Sequence, residues 1–345
     1  MLSALRAITP NAFDDEASLL AASTCWHPLW VKTRPTRFKV VVRPETEEEA
    51  HAVLALSAEN GWSVRAVGGG SGTAEPPTAS IGLDTSRLSS VALSEADLTV
   101  VAGAGVTVEA LEEDLNRHGY TLGQHLGSAR LATVGGCVET GAFGPFSGRY
   151  GGFAAICRST ERVQSVTLSA TLAIRPAPEV RAWAVFSAEN DADALDALRL
   201  IYRSDARPSL ARYEDGKVIL AFEGDELVQT GHYQLAHAIC QQVGLAPRDE
   251  SEGEAWLESL SRDALWSRNA QEGVWADQVN LSLPWSRLGA ALAQVRTLQG
   301  RPSLETRIVV LRPDAHGATL AIEFAAHTDE AGWRRRREEL QAIGE

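Results

Sequence analysis

Residues 65–73, RAVGGGSGT, place three glycines, a serine and a fourth glycine directly behind a short apolar run. A chain gives up so many side chains where its backbone must lie close to something else. A strand ending in consecutive glycines frees several N–H groups to converge on one anion and removes the Cβ atoms that would block it. The same composition also serves a plain tight turn, so the loop by itself leaves both readings open.

The elements around the loop are legible. FKVVV (38–42) reads as a strand. Thr46 with Glu49 forms a capping box, and Glu47 and Glu48 favour the positive end of the helix that follows and stops at Gly61. WSVRAV (62–67) is the next strand, and the glycines behind it lead to Glu75, Pro76 and Pro77 rather than into a helix. IGLD (81–84) and LTVVAGAG (98–105) are further strands. TVEALEEDLNRHG (107–119) is a helix with Thr107 at its N-cap and Gly119 just past its end. Residues 121–151 then hold eight glycines and little periodicity, the texture of a functional loop.

Several functions are excluded by what is missing. There is no G-x-x-x-x-G-K-[ST], no completed G-x-G-x-x-G, no H-E-x-x-H and no G-x-S-x-G. A formal charge of −13 argues against non-specific nucleic-acid binding. The basic cluster Arg334–Arg337 beside Trp333 reads as a solvated helix face. The four cysteines (Cys25, Cys137, Cys157, Cys240) are scattered without a Cys-x-x-Cys pair, so free thiols are expected and a metal site is not. Acidic residues near the N-terminus argue against a signal peptide, and no apolar run reaches the ~18 residues of a membrane span. A cytoplasmic location is expected.

From residue 163 the texture changes. VQSVTLSATLAIRP (163–176) alternates like a strand, and Pro176 and Pro178 mark a domain exit. A strand, a helix, the hairpin SLARYEDGKVILAFEG, another helix and a closing strand pair follow, with a last helix from Glu330. That mixture predicts an antiparallel sheet covered by helices on one face.

The order RPETEEEAHAVLALSAENGWSVRAVGGGSG, IGLDTSRL, LTVVAGAGVTVEALEEDLNRHGYTL, GSARLATVGGCVETGAFGPFSGRYG closely resembles the FAD-binding (PCMH-type) domain of the vanillyl-alcohol oxidase and p-cresol methylhydroxylase superfamily. The segments RPAPEVRAWAVFS, RPSLARYED, VILAFEGD and VNLSLPWSRL look more loosely like the cap of alkyldihydroxyacetonephosphate synthase-like flavoproteins. The resemblance implies an α+β chain: an N-terminal extension (1–37), a two-subdomain FAD-binding fold (38–178) and a mixed antiparallel-sheet cap, shortened at its C-terminus (179–345). It implies that Gly68, Gly69, Gly70, Ser71, Gly72 and Thr73 wrap the FAD diphosphate through backbone amides. Gly127, Ser128, Thr133, Gly135 and Gly136 would match two further flavin-contacting loops. Gly141, Ser147, Tyr150 and Gly151 would match the segment beside the isoalloxazine ring, and Asp84–Leu88 the turn behind the cradle. Gly135 and Gly136 equally suit close packing under a neighbouring helix.

Two departures bear on function. Only GFAAICRSTERVQ separates Gly151 from Ser165, where relatives carry a Gly-Ser-Glu-Gly segment lining the FAD site. The chain also ends at Glu345 without the relatives' histidine-rich motif. His316 is the nearest candidate for a substrate contact, against the more ordinary reading of a solvated turn residue; His125 reads as structural or solvent-facing. No cysteine or histidine stands in the cradle and Cys137 reads as a core residue, so FAD is expected to bind non-covalently. The expectation is a flavin oxidoreductase taking hydride from a small-molecule substrate held between FAD domain and cap, with no catalytic base named. A degenerate, non-catalytic partner-binding member is the alternative, and a shortened reading of a longer enzyme a third. A homodimer or a complex partner stays open.

Overall fold

The chain divides into two units, each assembled from two separate stretches: Met1–Phe143 with Gly151–Pro176, and Gly144–Tyr150 with Ala177–Glu345. The computed structural model describes residues 1–73, 78–260, 268–269, 271–299, 301 and 303–344. Glu75, Pro76 and Pro77, into which the glycine loop leads, lie outside the described residues.

In the first unit, β1 (Ala12–Phe13), β2 (Val40–Val42), β3 (Val64–Val67) and β4 (Ile81–Asp84) form a sheet in the order β1-β2-β4-β3. β2 and β3 run parallel to β4, and β1 antiparallel to β2. Parallel strands covered on both faces carry apolar runs rather than alternation, as Val40, Val41 and Val42 do, all buried. The helix Glu47–Glu59 joins β2 to β3 and buries Ala50, Val53 and Leu54. Thr46 caps it by accepting the Glu49 N–H at 3.2 Å, while the Glu49 carboxylate accepts the N–H of Glu45, one residue earlier than a capping box requires.

β5 (Val91–Ser94) and β6 (Thr99–Gly103) open the second sheet; after the short β7 (Tyr120–Thr121), β8 (Cys157–Val163) and β9 (Val166–Ala173) complete it in the antiparallel order β5-β6-β9-β8. β10 (Arg175–Pro176) pairs with β7. The single strand expected over 163–176 therefore begins as the turn of a hairpin, with Gln164 at φ +55°. The helix Val108–Arg117 packs Leu111 and Leu115 beside Val100, Val134, Phe153 and Leu172.

The second unit holds β11 (Val180–Ser187), β12 (Leu210–Glu214), β13 (Lys217–Gly224), β14 (Ala246–Pro247), β15 (Val274–Pro284), β16 (Leu304–Leu311) and β17 (Gly317–His327). They form one sheet, β14-β11-β13-β12-β16-β17-β15, with antiparallel ladders throughout. The β12–β13 turn is Asp215–Gly216 at φ +48° and +74°, the left-handed pair that a two-residue hairpin needs. Phe186 and Phe222 meet His237 and Tyr233 of the helix Glu226–Val243 on one face. Trp183 and Val185, alternating with Phe186, cluster on the other face with Trp256, Phe146 and Tyr150. Helices thus cover both faces: the sequence gives no sign that Ser251–Leu260 and the turn Ser147–Tyr150 share the face away from Glu226–Val243.

Candidate functional site

The glycine loop begins where β3 ends, at the carboxyl edge of the parallel strands, the usual place for a ligand in an α/β sheet. β3 is an edge strand, and Thr85, just past β4, closes the corner by donating both its N–H and its hydroxyl to Val67 O at 3.0 and 3.2 Å. Beside it, Asp84 accepts the Arg43 Nε at 2.7 Å and the Ser86 N–H at 2.9 Å, so its charge is already met.

The loop itself is fixed from two sides. A Cβ on Gly68 would lie 2.5 Å from Thr133 Oγ1, and one on Gly69 would overlap the Leu131 carbonyl oxygen. Gly70, at φ +73°, leaves 2.8 Å between a built Cβ and Thr24 O. Gly68, Gly69, Gly72 and Thr73 are exposed, and Gly70 and Ser71 half-buried. None of the six N–H groups from Gly68 to Thr73 donates a hydrogen bond to another described residue. Six consecutive amides that no other described residue uses form a site that water or an anion can satisfy.

The other expected positions in this unit gather around the loop to different degrees. Gly127 and Ser128 start the turn whose far end, Leu131–Thr133, abuts Gly68 and Gly69; Ser128 O accepts the N–H groups of Leu131 and Ala132 at 2.9 and 2.8 Å. Thr133 caps the helix Val134–Thr140, its hydroxyl accepting the Gly136 N–H at 3.4 Å. Gly135 is buried, and a Cβ there would sit 2.7 Å from Ala104 Cβ. Close packing explains Gly135; Gly136 is exposed beside Thr133. Gly141 ends the same helix at φ +60°, and Gly151, at φ +80°, accepts the Gln124 amide at 2.7 Å.

Ser147 and Tyr150 belong to the second unit. Ser147 Oγ accepts the Gly144 N–H at 2.9 Å, a local turn contact. Tyr150 donates its hydroxyl to the buried Glu223 carboxylate at 2.9 Å, and Arg181 Nε donates to the same group at 2.6 Å. Burial, then the Glu223 charge, push the Tyr150 phenol up to about 12, so it acts as a neutral donor and not as a base at neutral pH.

The strand register of that unit creates a polar face which sequence reading did not find. Arg212 and Glu214 of β12, Arg307 of β16 and Glu323 of β17 share one side of the sheet, Arg307 standing opposite Glu323. Glu214 is clamped by Arg212 and Arg307, and Arg307 also lies 3.5 Å from Glu323. The Arg212 guanidinium stacks 4.2 Å over Trp256, and burial pulls its pKa down to about 10 against the pull of Glu214. His316 is exposed in the β16–β17 turn, where Asp314 accepts its backbone N–H at 2.6 Å. It lines an open depression of about 330 Å³ with Ser282, Thr319 and Arg312.

Residues 38–166 match a family described as FAD binding domain. The glycine loop, the turn at 127–133 and the helix Val134–Thr140 all fall inside that stretch. Over these residues the chain is similar to FAD-binding domains. The chain is 35% identical over 127 residues to a D-lactate dehydrogenase of Archaeoglobus fulgidus, covering 36% of this chain and 28% of the relative. The curated relatives are matched over 28% of their length or less. Among solved structures, an alkyldihydroxyacetonephosphate synthase superposes with a TM-score of 0.86 at 17% identity, over 99% of this chain and 78% of the other. A p-cresol methylhydroxylase with substrate bound gives 0.76 at 11% identity, over 99% and 85%. The fold is therefore the two-part PCMH-type fold, α+β with an antiparallel sheet in the second part, which the sequence motifs imply.

The same stretch also holds Cys137, one residue past Gly136. It is 3% exposed, and burial pushes its thiol from 9.0 up to about 12, as it does for Cys240. A rise of that size cuts the thiolate fraction about a thousandfold. At pH 8 the native protein should leave Cys137 and Cys240 unlabelled by iodoacetamide, while all four thiols react after denaturation. Peptide mass mapping checks this; native labelling of Cys137 would mean that the helix Val134–Thr140 opens. Among the described residues no helix is long and apolar enough to cross a membrane.

Proposed function

We propose that the protein is an FAD-dependent oxidoreductase acting on a small organic substrate. The observation that carries this reading is the run of six N–H groups at Gly68–Thr73 that no other described residue accepts, opening on Gly68, Gly69 and Gly70, where a Cβ would clash. The two negative charges of a diphosphate suit a run of backbone N–H groups that no other described residue uses. FAD, when bound, supplies the redox chemistry by accepting a hydride from a substrate carbon.

The chain's own part is to hold and orient. Gly68–Thr73 would take the diphosphate, Gly127 and Ser128 with Thr133 and Gly136 would bound the same ligand, and Gly135 would let the helix Val134–Thr140 approach closely. Gly141 and Gly151 would shape the segment nearest the ring; Ser147 and Tyr150, which the resemblance assigns to the same segment, fold with the second unit. Attachment would be non-covalent, since the loop carries no cysteine or histidine and burial raises the Cys137 thiol. Four free cysteines suit a reducing compartment such as the cytoplasm. The D-lactate dehydrogenase relative favours a substrate with an oxidisable carbinol carbon over other classes.

The visible spectrum of purified protein tests the reading. Flavin bands near ~450 nm that leave with FAD on denaturation are expected. A colourless protein that takes up no added FAD would rule out the oxidoreductase.

A further inference from the structure

The N-terminal stretch contributes a wall to the cradle. After the helix Glu16–Ala22 the chain leaves the fold at Ser23 and returns at Arg37, where β2 is about to start. The two ends are clasped: Ser23 Oγ accepts the Arg37 N–H at 3.0 Å and donates to Leu19 O at 2.6 Å, and the Arg37 guanidinium reaches Cys25 Sγ at 3.5 Å. Ser23, Cys25, His27 and Arg37 are all buried. This clasped excursion carries the short helix Pro28–Thr33 between its ends.

This loop lies against the glycines. Thr24 O stands 2.8 Å from where a Cβ of Gly70 would be, and the Trp26 N–H donates to Gly72 O at 2.9 Å. In a trans peptide the C=O and the following N–H point in opposite directions. By fixing the Gly72 carbonyl toward the strap, Trp26 turns the Thr73 N–H to the side away from it. The strap uses a carbonyl of the loop and takes none of its N–H groups.

We propose that residues 23–37 are the rear wall of the diphosphate cradle, with the Trp26 amide as a positioning group that aims the Gly72–Thr73 peptide at the ligand. This rests on the reading of Gly68–Thr73 as the FAD diphosphate site.

The test compares Trp26→Pro, which deletes the donor, with Trp26→Ala, which loses the same indole and keeps it. FAD and ADP, the latter a diphosphate without the flavin ring, are titrated by calorimetry against the apo-proteins, and apo melting temperatures are measured alongside. Trp26→Pro should bind both ligands about tenfold more weakly than Trp26→Ala, since one oriented hydrogen bond and the donor it aims are lost. Equal ADP affinity in the two variants overturns the strap while leaving the cradle standing. A wild-type protein that binds neither FAD nor ADP removes the cradle reading and the strap with it. Should Trp26→Pro fail to fold, Ser23→Ala against Ser23→Thr opens or keeps the clasp. A drop in ADP affinity confined to Ser23→Ala supports the proposal, and equal affinities overturn it.

Discussion

Replacing Gly69 with alanine should strip the protein of its flavin. The new Cβ has to occupy the position of the Leu131 carbonyl oxygen, and that atom belongs to backbone which cannot rotate away. Relief comes only by separating the glycine loop from the turn at 127–133. Overpacking of this kind typically costs about 1–3 kcal/mol, and the same displacement misaligns the six amides. FAD affinity should therefore fall between about tenfold and about a hundredfold, read as loss of flavin absorbance after gel filtration. Because Gly69 is exposed at the loop surface, the far-UV circular dichroism should stay that of the wild type. Unchanged flavin content in Gly69→Ala would mean that the cradle lies elsewhere.

Glu214→Ala should be the most destabilising single change on the polar face of the second unit. Glu214 is 6% exposed and neutralises Arg212, itself 8% exposed, as well as Arg307. Its removal leaves a buried guanidinium facing another cation, and breaking one side of a buried pair costs about 3–5 kcal/mol. Replacing both partners together, Arg212→Leu with Glu214→Leu, removes the stranded charge and should recover most of that loss. Urea unfolding followed by tryptophan fluorescence reads both variants. A loss below about 1 kcal/mol in Glu214→Ala would show that water reaches the cluster and that its desolvation is small.

The parts that were legible in the sequence are those set by local backbone chemistry. Thr46 and Thr107 announce helix starts because a hydroxyl can satisfy an orphan N–H within three residues. Asp215–Gly216 announces a hairpin because few other pairs accept two left-handed dihedrals in succession. The glycine loop shows itself by the side chains it lacks. The strap at Thr24–Trp26 does not, since its contacts to Gly70 and Gly72 are made by backbone atoms, which every residue type carries. Arg212 and Glu214, two apart on a strand, look like an ordinary solvent-facing pair; only the register that sets Arg307 opposite Glu323 turns them into a buried cluster. The same holds for Tyr150, whose partner Glu223 is 73 residues away. Motif spacing places it beside glycines of the first unit, and a long-range hydrogen bond assigns it to the second.

The split assignment of Gly144–Tyr150 bears on how the polypeptide is made. On the ribosome the first unit cannot close until Val166–Ala173 emerges to pair with β6, so a piece of its neighbour is already out before it finishes. Phe146 and Tyr150 must then wait for Trp183 and Leu210 to be synthesised. Sequence-distant pairings of this kind slow folding. No single cut leaves both units whole: a cut after Pro176 keeps the first complete and takes Gly144–Tyr150, with Phe146 and Tyr150, from the core of the second.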